Sequence, residues 1–407
     1  MTTLASVAAW TAPVRADDSL QVGIHGETQM IYRYGNVHGA LGSGGIGIEP
    51  GGALQYDAGT NSDIYLPTVR LSLVTMYSKL LFARISTALL TTDFYDEPLT
   101  SPTALADYRQ FLRNQRATGQ ANMFSRTLVL QDAYLSIADA TVGGAVIVGQ
   151  QPVPLGYWTQ ITAEAPVTVM PQATAMTDYI NLNVLPFSAT PYQNSTLTRV
   201  RDIGIQVAGK INLFSYQLGF FSGAGPNRND DNNSRDFLWR VDANTSEGSQ
   251  LGFSQLRGKD VAWRLIGADR PFGIEYDRLY NDIHARLLLG QNTILGEYVF
   301  TQQYFGTEGV TSNQSGWYLT SLSPTAANTW LVLQYATFFD QDVRRDGSNL
   351  PYSIRRATVG LRYDILPSQV QAQLEYNRTW EDLNGTLPGE KANAIYGSWN
   401  IILTAQL

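Results

Sequence analysis

The feature that most constrains this sequence is an alternation of apolar and polar side chains with a period of two residues. In the stretch 370–377 the apolar positions are Val370, Ala372, Leu374 and Tyr376, and the positions between them carry amide or carboxylate side chains. A two-residue period is the side-chain repeat of a β-strand, so each such strand has one apolar and one polar face. Strands of this kind recur from end to end. Closed into a cylinder, they predict a barrel with a lipid-facing exterior and a wet interior.

Composition supports a barrel that crosses a membrane with strands. Charged residues make up 15% of the chain, against about 25% in typical globular proteins. No window of the sequence approaches the roughly 18 consecutive apolar residues of a membrane helix. The absence of cysteine excludes disulfides and thiolate metal sites. The net charge of −7 argues against nucleic acid as a partner.

The first residues have the pattern of a truncated secretion signal. An apolar run at 4–10 precedes a cleavage-site pattern at Val14-Arg15-Ala16, with small residues at 14 and 16 and Asp17 immediately after them. We therefore expect a partial signal peptide over 1–16 and a single transmembrane β-barrel domain over 17–407. The alternative for the first residues is a disordered terminus of a soluble protein.

The spacing between predicted strands alternates between short and long. Unpatterned stretches at 33–62, 91–125 and 151–198 are long, whereas the connections between them are a few residues. Short periplasmic turns and long extracellular loops are typical of outer-membrane barrels. The count predicts an antiparallel barrel of 16 strands, possibly 18, because strand ends between 237 and 291 are ambiguous. The competing folds are a soluble sandwich or a propeller, but no repeat of about 40 residues is present.

Charged residues on the polar faces of these strands are the candidate pore lining. Opposed positive and negative charges in a narrow pore orient and select passing solutes. The alternative is that these charges only neutralise each other on a solvated wall. The predicted pore-lining residues are Glu27, Arg70, Arg84, Asp132, Asp202, Arg264, Arg286, Glu297, Arg356, Arg362 and Glu375.

The stretch 151–198 is too long and too apolar for an ordinary surface connection. We expect this loop to fold into the lumen and narrow it, with Tyr157 and Trp158 near its start. Glu164 and Asp178 are its only acidic residues, so they are the candidates for setting selectivity at the constriction. The alternative is a loop that packs on a neighbouring subunit.

Two further loops carry charge without a unique interpretation. Arginines at helical spacing in the loop 91–125 could attract anions or contact lipopolysaccharide phosphates, or could belong to a solvated helix; they are Arg109, Arg113 and Arg116, followed by Arg126. Asp230, Asp231 and Asp236 lie among asparagines, which suits either calcium or a plain polar loop.

Signals for enzymatic chemistry are poor. The three histidines, His25, His38 and His284, have no metal-ligand spacing, and no nucleophile elbow or phosphate-binding loop is present. We therefore expect no catalytic residues, no cofactor and no metal site. The alternatives are a barrel that sheathes a periplasmic electron-transfer partner and, less favoured, a barrel enzyme.

Several short stretches share their order and spacing with one known family. They are QDAYL at 131–135, VGQ at 148–150 with Pro152 and PLG at 154–156, RDIGIQ at 201–206, LGFFSGAG at 218–225 and RD at 235–236. These stretches resemble the phosphate-selective porins of Gram-negative outer membranes. The resemblance implies a trimeric barrel of sixteen strands whose stretch after VGQ folds inward as a constriction. The chain departs from the family in having only four lysines, where the namesakes have lysine-rich lumens.

Together these patterns predict a diffusion channel in the outer membrane of a Gram-negative bacterium. The expected partners are outer-membrane lipid and lipopolysaccharide, small polar solutes or ions, and two further copies of the chain in a homotrimer.

Overall fold

The computed structural model is a closed antiparallel β-barrel of sixteen strands. It describes residues 20–39, 60–77, 80–91, 126–139, 143–157, 201–223, 234–265, 271–305, 310–342, 352–367, 369–384 and 391–406. The predicted barrel of 16 strands is confirmed. In chain order the strands are β1 (Leu20–Gly39), β2 (Thr60–Tyr77), β3 (Leu81–Thr91), β4 (Arg126–Asp139), β5 (Gly144–Pro152), β6 (Arg201–Ile211), β7 (Phe214–Phe221), β8 (Asp236–Asn244), β9 (Gln250–Leu265), β10 (Pro271–Leu289), β11 (Asn292–Phe305), β12 (Val310–Ala326), β13 (Thr329–Asp342), β14 (Tyr352–Leu366), β15 (Val370–Asn384) and β16 (Lys391–Gln406).

The region of ambiguous strand ends contains three strands, β8 to β10. β9 and β10 pair in continuous register from Leu265 opposite Pro271 to Gln250 opposite Arg286. This uninterrupted pairing leaves no room for an additional pair of strands, so the count is 16 rather than 18.

Each strand pairs with its neighbours in the chain, and β16 pairs with β1 to close the barrel. Closure matters because an open edge in lipid would leave backbone N–H and C=O groups without partners. Within the part of the chain that the structure describes, no helix has the length and apolar character needed to cross a membrane.

One end of the barrel carries short turns. Three of them are two-residue turns, at 212–213, 290–291 and 327–328, and in each an asparagine or a glycine has a positive φ: 55° for Asn212, 62° for Gly290 and 59° for Asn328. Asparagine tolerates this left-handed conformation, which tight hairpin turns require. The three longest connections, 40–59, 92–125 and 158–200, all leave from the opposite end.

The barrel is apolar outside and polar inside. Outward-facing Ile24, Leu71 and Ile85 are 70%, 58% and 54% exposed, whereas Arg240, Asp282 and Asn400 are fully buried on the inner face. A soluble protein buries its apolar side chains and exposes its charges. The inverted distribution is that of a barrel which presents its exterior to lipid.

A β-bulge adjusts the inner face near a predicted pore residue. Ser86 pairs with Asp132 and Thr87 with Leu130, so Gln131 is the extra residue on β4. Both Gln131 and Asp132 are buried. The bulge therefore sets the side chain of Asp132 on the inner face, opposite Ser86 on β3.

Candidate functional site

A short segment, residues 153–157, leaves the end of β5 and lies inside the barrel. Its last residue, Tyr157, is 1% exposed and packs against Leu295, Tyr318 and Ala336 on β11, β12 and β13. Strands β6 to β10 lie between β5 and β11 in the sheet. The segment therefore extends across the lumen to a distant part of the wall. We call residues 153–157 the inward segment; β5 ends at Pro152, slightly beyond the expected start of the loop at 151.

Gly156 is the point where the inward segment is hydrogen-bonded to the wall. Its N–H donates to Ser254 Oγ on β9 at 2.8 Å, and its carbonyl accepts from Arg240 Nη1 on β8. Its φ is +73°, in the left-handed region that favours glycine. A Cβ at this position would collide with the carboxylate of Glu297 and lie 2.8 Å from Asp282 Oδ2. Both the backbone conformation and the space available therefore require glycine here.

The side chains around Gly156 form a dense polar group that we call the anchor cluster: Arg240, Asp242, Ser254, Asp282, His284 and Glu297. Inner-face alternation on β8 to β11 places them side by side. All six are buried. The anchor cluster therefore lies beneath the inward segment and is shielded from the solvent of the lumen.

Hydrogen bonds connect the anchor cluster internally. Arg240 Nε donates to both carboxylate oxygens of Asp242, at 3.0 and 2.8 Å. The two ring nitrogens of His284 each lie 2.6 Å from a carboxylate oxygen, Nδ1 from Asp282 and Nε2 from Asp242. Tyr318 Oη donates to Glu297 Oε2 at 2.9 Å. In the described part of the chain, no three His, Asp or Glu side chains are arranged to share a metal ion.

A second charged group lies on β3, β4 and β6. Arg201 Nε donates to Asp132 Oδ1 at 2.6 Å, and Ser86 Oγ donates to Asp132 Oδ2 at 2.5 Å. Arg84 Nε lies 3.6 Å from the same carboxylate, and the Arg84 side chain keeps 23% of its surface exposed. Arg84 is thus a cation on the inner wall that is only partly covered.

Other predicted pore residues have local partners. Asp202 accepts from Ser222 Oγ at 2.5 Å and from the Gly223 N–H at 2.7 Å. Glu375 accepts from three amides, those of Gln373, Asn377 and Asn400. Arg362 Nε donates to Asp364 at 3.0 Å, and its guanidinium lies 5.8 Å from the centre of the Trp330 ring.

The structure places the predicted pore-lining residues as follows. Arg70, Asp132, Asp202, Glu297, Arg356 and Glu375 are buried on the inner face, and Arg84, Arg286 and Arg362 are half-buried there. Glu27 on β1 is opposite Arg70 in the register, and Arg264 on β9 is opposite Phe272. Of the predicted constriction residues, Tyr157 belongs to the inward segment. Trp158, Glu164 and Asp178 lie outside the described residues, as do the expected signal peptide and the arginines of loop 91–125.

Several residues of the site were not predicted from the sequence. Arg201 does not follow the inner-face alternation of β6, because Ile203 and Ile205 at the same parity face outward. On β8 the inward residues Arg240 and Asp242 do alternate with outward apolar residues. On β10 Asp282 is followed by the outward Ile283. That alternation was the available signal, but the strand ends in this region were not resolved from sequence. The role of Gly156 depends on a contact with β9 that no local pattern encodes.

Comparison with known proteins gives structural neighbours only. The sequence matches no protein-family model, and no curated protein matches it. Among solved structures, the trimer form of OmpT from Vibrio cholerae is 11% identical with a TM-score of 0.58, over 96% of this chain and 100% of that chain. The outer-membrane channel DcaP of Acinetobacter baumannii is 10% identical with a TM-score of 0.57, over 97% and 100%. An anion-selective porin from Comamonas acidovorans is 13% identical with a TM-score of 0.54, over 96% and 100%.

At these identities the neighbours establish the fold. They agree with the predicted location in the outer membrane of a Gram-negative bacterium. The chain therefore has the sixteen-stranded barrel fold of Gram-negative outer-membrane proteins, porins among them.

Proposed function

We propose that this protein is an outer-membrane porin that lets small hydrophilic solutes or ions diffuse through a constricted aqueous lumen. The observation that carries the proposal is the inward segment, which lies inside the barrel and is held by the anchor cluster on β8 to β11. A barrel that sheathed a protein partner would need an unobstructed lumen. Diffusion down a gradient requires no cofactor and no chemical step.

The proposal includes weak charge selectivity. Several inner-face charges of the described residues are compensated by a neighbour: Asp132 by Arg201, Asp242 by Arg240 and Asp364 by Arg362. Paired charges produce a smaller field along the pore than unpaired ones. Arg84 retains 23% of its side-chain surface exposed, so it is a described inner cation that can act on a passing ion.

Small anions, phosphate included, are the first solutes to test. The resemblance of 131–236 to phosphate-selective porins supports this choice, and so do the inner-face arginines. Arginine suits phosphate because its planar guanidinium donates two parallel hydrogen bonds. A homotrimer is part of the proposal, since one neighbouring structure is a trimer form.

The test is conductance in a planar lipid bilayer. Purified protein should produce stepwise current increments, and a salt gradient should give a small reversal potential. Arg84→Glu should shift that potential toward cation preference because it reverses a charge on the inner wall. The matched control is Arg257→Glu, since Arg257 is an exposed arginine on the outer face of β9.

Two results would contradict the proposal. One is the absence of current steps from protein that has inserted and folded. The other is an equal shift of the reversal potential by Arg84→Glu and Arg257→Glu, which would show that the inner wall does not influence permeating ions.

A further inference from the structure

A groove of about 590 Å³ opens on the outer surface of the barrel across β12 to β15. Its walls are mostly outward-facing apolar and aromatic side chains: Leu319, Leu333, Tyr335, Val359, Tyr376 and Trp380. Leu319, Leu333 and Val359 are 51%, 44% and 47% exposed. The groove is therefore a depression in the lipid-facing surface, separate from the lumen and from the inward segment.

An arginine belongs to the lining of this groove. Arg378 is exposed, and its guanidinium lies 5.7 Å from the centre of the Trp380 ring. A second exposed arginine, Arg355 on β14, is directly opposite Trp380 in the strand register. Both arginines occupy outward positions of the barrel, where a cation is costly in the hydrocarbon layer and is tolerated near the interface.

The neighbouring side chains show at which depth these arginines lie. From Arg378 toward the short-turn end, the outward residues of β15 are Tyr376, Leu374, Ala372 and Val370. The outward residues of β14 below Arg355 run through Ala357, Val359 and Leu361. The two arginines therefore mark the upper edge of the apolar band, on the side of the long connections.

Aromatic pairs lie at this edge. The rings of Tyr376 and Trp399 are 5.0 Å apart, and those of Trp317 and Tyr335 are 5.5 Å apart. Tyrosine and tryptophan concentrate where lipid headgroups begin, because their rings are amphipathic. The guanidinium groups of Arg355 and Arg378 are thus at headgroup level, above a groove lined by apolar side chains.

We propose that this groove binds a phosphorylated, acylated lipid of the outer leaflet, the class to which lipopolysaccharide belongs. One acyl chain lies against Leu319, Leu333 and Val359, and a phosphate lies against Arg378 and Arg355. Arginine and phosphate form charge-assisted, often bidentate hydrogen bonds. The phosphate also supplies negative charge next to the Arg378 guanidinium at the edge of a lipid-facing surface. The inference rests on the proposed outer-membrane location.

The test is native mass spectrometry of the purified barrel with lipid A that carries two phosphates. The same lipid with its phosphates removed serves as the uncharged probe. Wild-type protein should retain the phosphorylated lipid and lose the dephosphorylated one. Arg378→Ala should weaken binding by about fivefold, the effect of one cation near a phosphate. Leu333→Trp, which fills the groove and leaves both arginines intact, should also weaken binding.

Arg257→Ala is the matched control, because it removes an exposed outer-face arginine on β9, outside the groove. Each variant is first shown to be folded by circular dichroism. Arg378→Lys keeps the charge and should bind more tightly than Arg378→Ala, which separates loss of a phosphate contact from a folding defect.

The proposal is overturned if Arg257→Ala and Arg378→Ala reduce binding equally, or if wild type retains both forms of the lipid. It is also overturned if Leu333→Trp changes the oligomer mass and leaves lipid binding intact, which would assign the groove to a second copy of the chain. If the barrel conducts but does not discriminate between the lipids, the proposed lipid site is contradicted and the porin function is not. If the barrel binds the lipid without conducting, the porin function is contradicted and the lipid site is not.

Discussion

The phenol ring of Tyr157 stacks on the imidazole of His284, with 6.2 Å between ring centroids and 23° between ring planes. Tyr157 ends the inward segment and His284 lies on β10, so this contact joins the segment to a part of the wall five strands away from β5. Next to it, Gly156 bonds to Ser254 and Arg240. Contacts at its tip thus help to fix the position of the segment within the lumen.

Gly156→Ala should detach the tip of the inward segment. The added methyl group would collide with Glu297, and alanine would have to adopt the φ of +73°. We expect a larger and noisier single-channel conductance, measured in planar bilayers. Gly290→Ala is the control, since Gly290 has a φ of +62° and open space around its Cβ position. Both changes carry a backbone penalty of about 1 kcal/mol, so only a steric effect distinguishes them. Identical conductance for the two variants would remove Gly156 from the constriction.

Arg201→Ala should destabilise the barrel through Asp132. The two side chains are 0% and 1% exposed, and their ion pair is 2.6 Å long. Removal of one partner from a buried pair costs about 3 kcal/mol, because the other charge stays buried. Here Arg84, 3.6 Å from the same carboxylate, compensates Asp132 only in part. The measurement is urea unfolding of the barrel in lipid vesicles. Arg362→Ala breaks a half-buried pair with Asp364 and should cost clearly less. Equal losses would mean that burial does not set the energy of these pairs.

The double variant Glu164→Gln with Asp178→Asn tests the acidic residues predicted for the constriction. Because it removes both carboxylates of 151–198, the reversal potential in a salt gradient should move toward anion preference. Glu247→Gln with Asp277→Asn is the control pair, as both residues are exposed, one in a short turn and one on the outer face. An unchanged ion preference would exclude Glu164 and Asp178 from the selectivity filter.

Leu361→Arg should disfavour the inserted barrel more than Leu366→Arg. The two leucines are on the same strand and are 50% and 51% exposed, but Leu366 is at the short-turn end and Leu361 lies deeper in the apolar band. An arginine costs about 2–4 kcal/mol at the bilayer midplane and about 0–1 kcal/mol near the interface. Reversible folding into vesicles measures the difference. Equal costs at the two depths would contradict the membrane placement of the barrel.

The barrel was predictable because the two-residue alternation that identifies its strands is a local feature of the sequence. Alternation in stretches such as 370–377 identifies strands and assigns their faces, and the spacing of the turns gives the number of strands. Prediction was weakest over 237–291, where the strand ends were not resolved. There β9 and β10 are long, and their ends depend on pairing with neighbours rather than on a local turn signal.

The alternation of residues along each strand predicted which side chains face the lumen. It did not predict which of those side chains interact with each other. Parity placed Asp132, Glu297 and Glu375 on the inner face, but it could not indicate that Arg201, from a strand two positions away, neutralises Asp132. Gly156 likewise appeared only as part of a family-like stretch. Its hydrogen-bond partners, Ser254 and Arg240, are 98 and 84 residues away along the chain, and only the folded sheet brings them together.

The ladder between β1 and β16 has a consequence for biogenesis. Its partners, such as Tyr32 and Ile401, are separated by nearly the whole polypeptide. Contacts of such high sequence separation form slowly, because ordering the intervening chain has a large entropic cost. Until β1 and β16 pair, the folding barrel has two edge strands whose backbone N–H and C=O groups lack hydrogen-bond partners. We therefore expect pairing of β1 with β16 to be a slow step of insertion, and an unclosed barrel to be prone to misassembly.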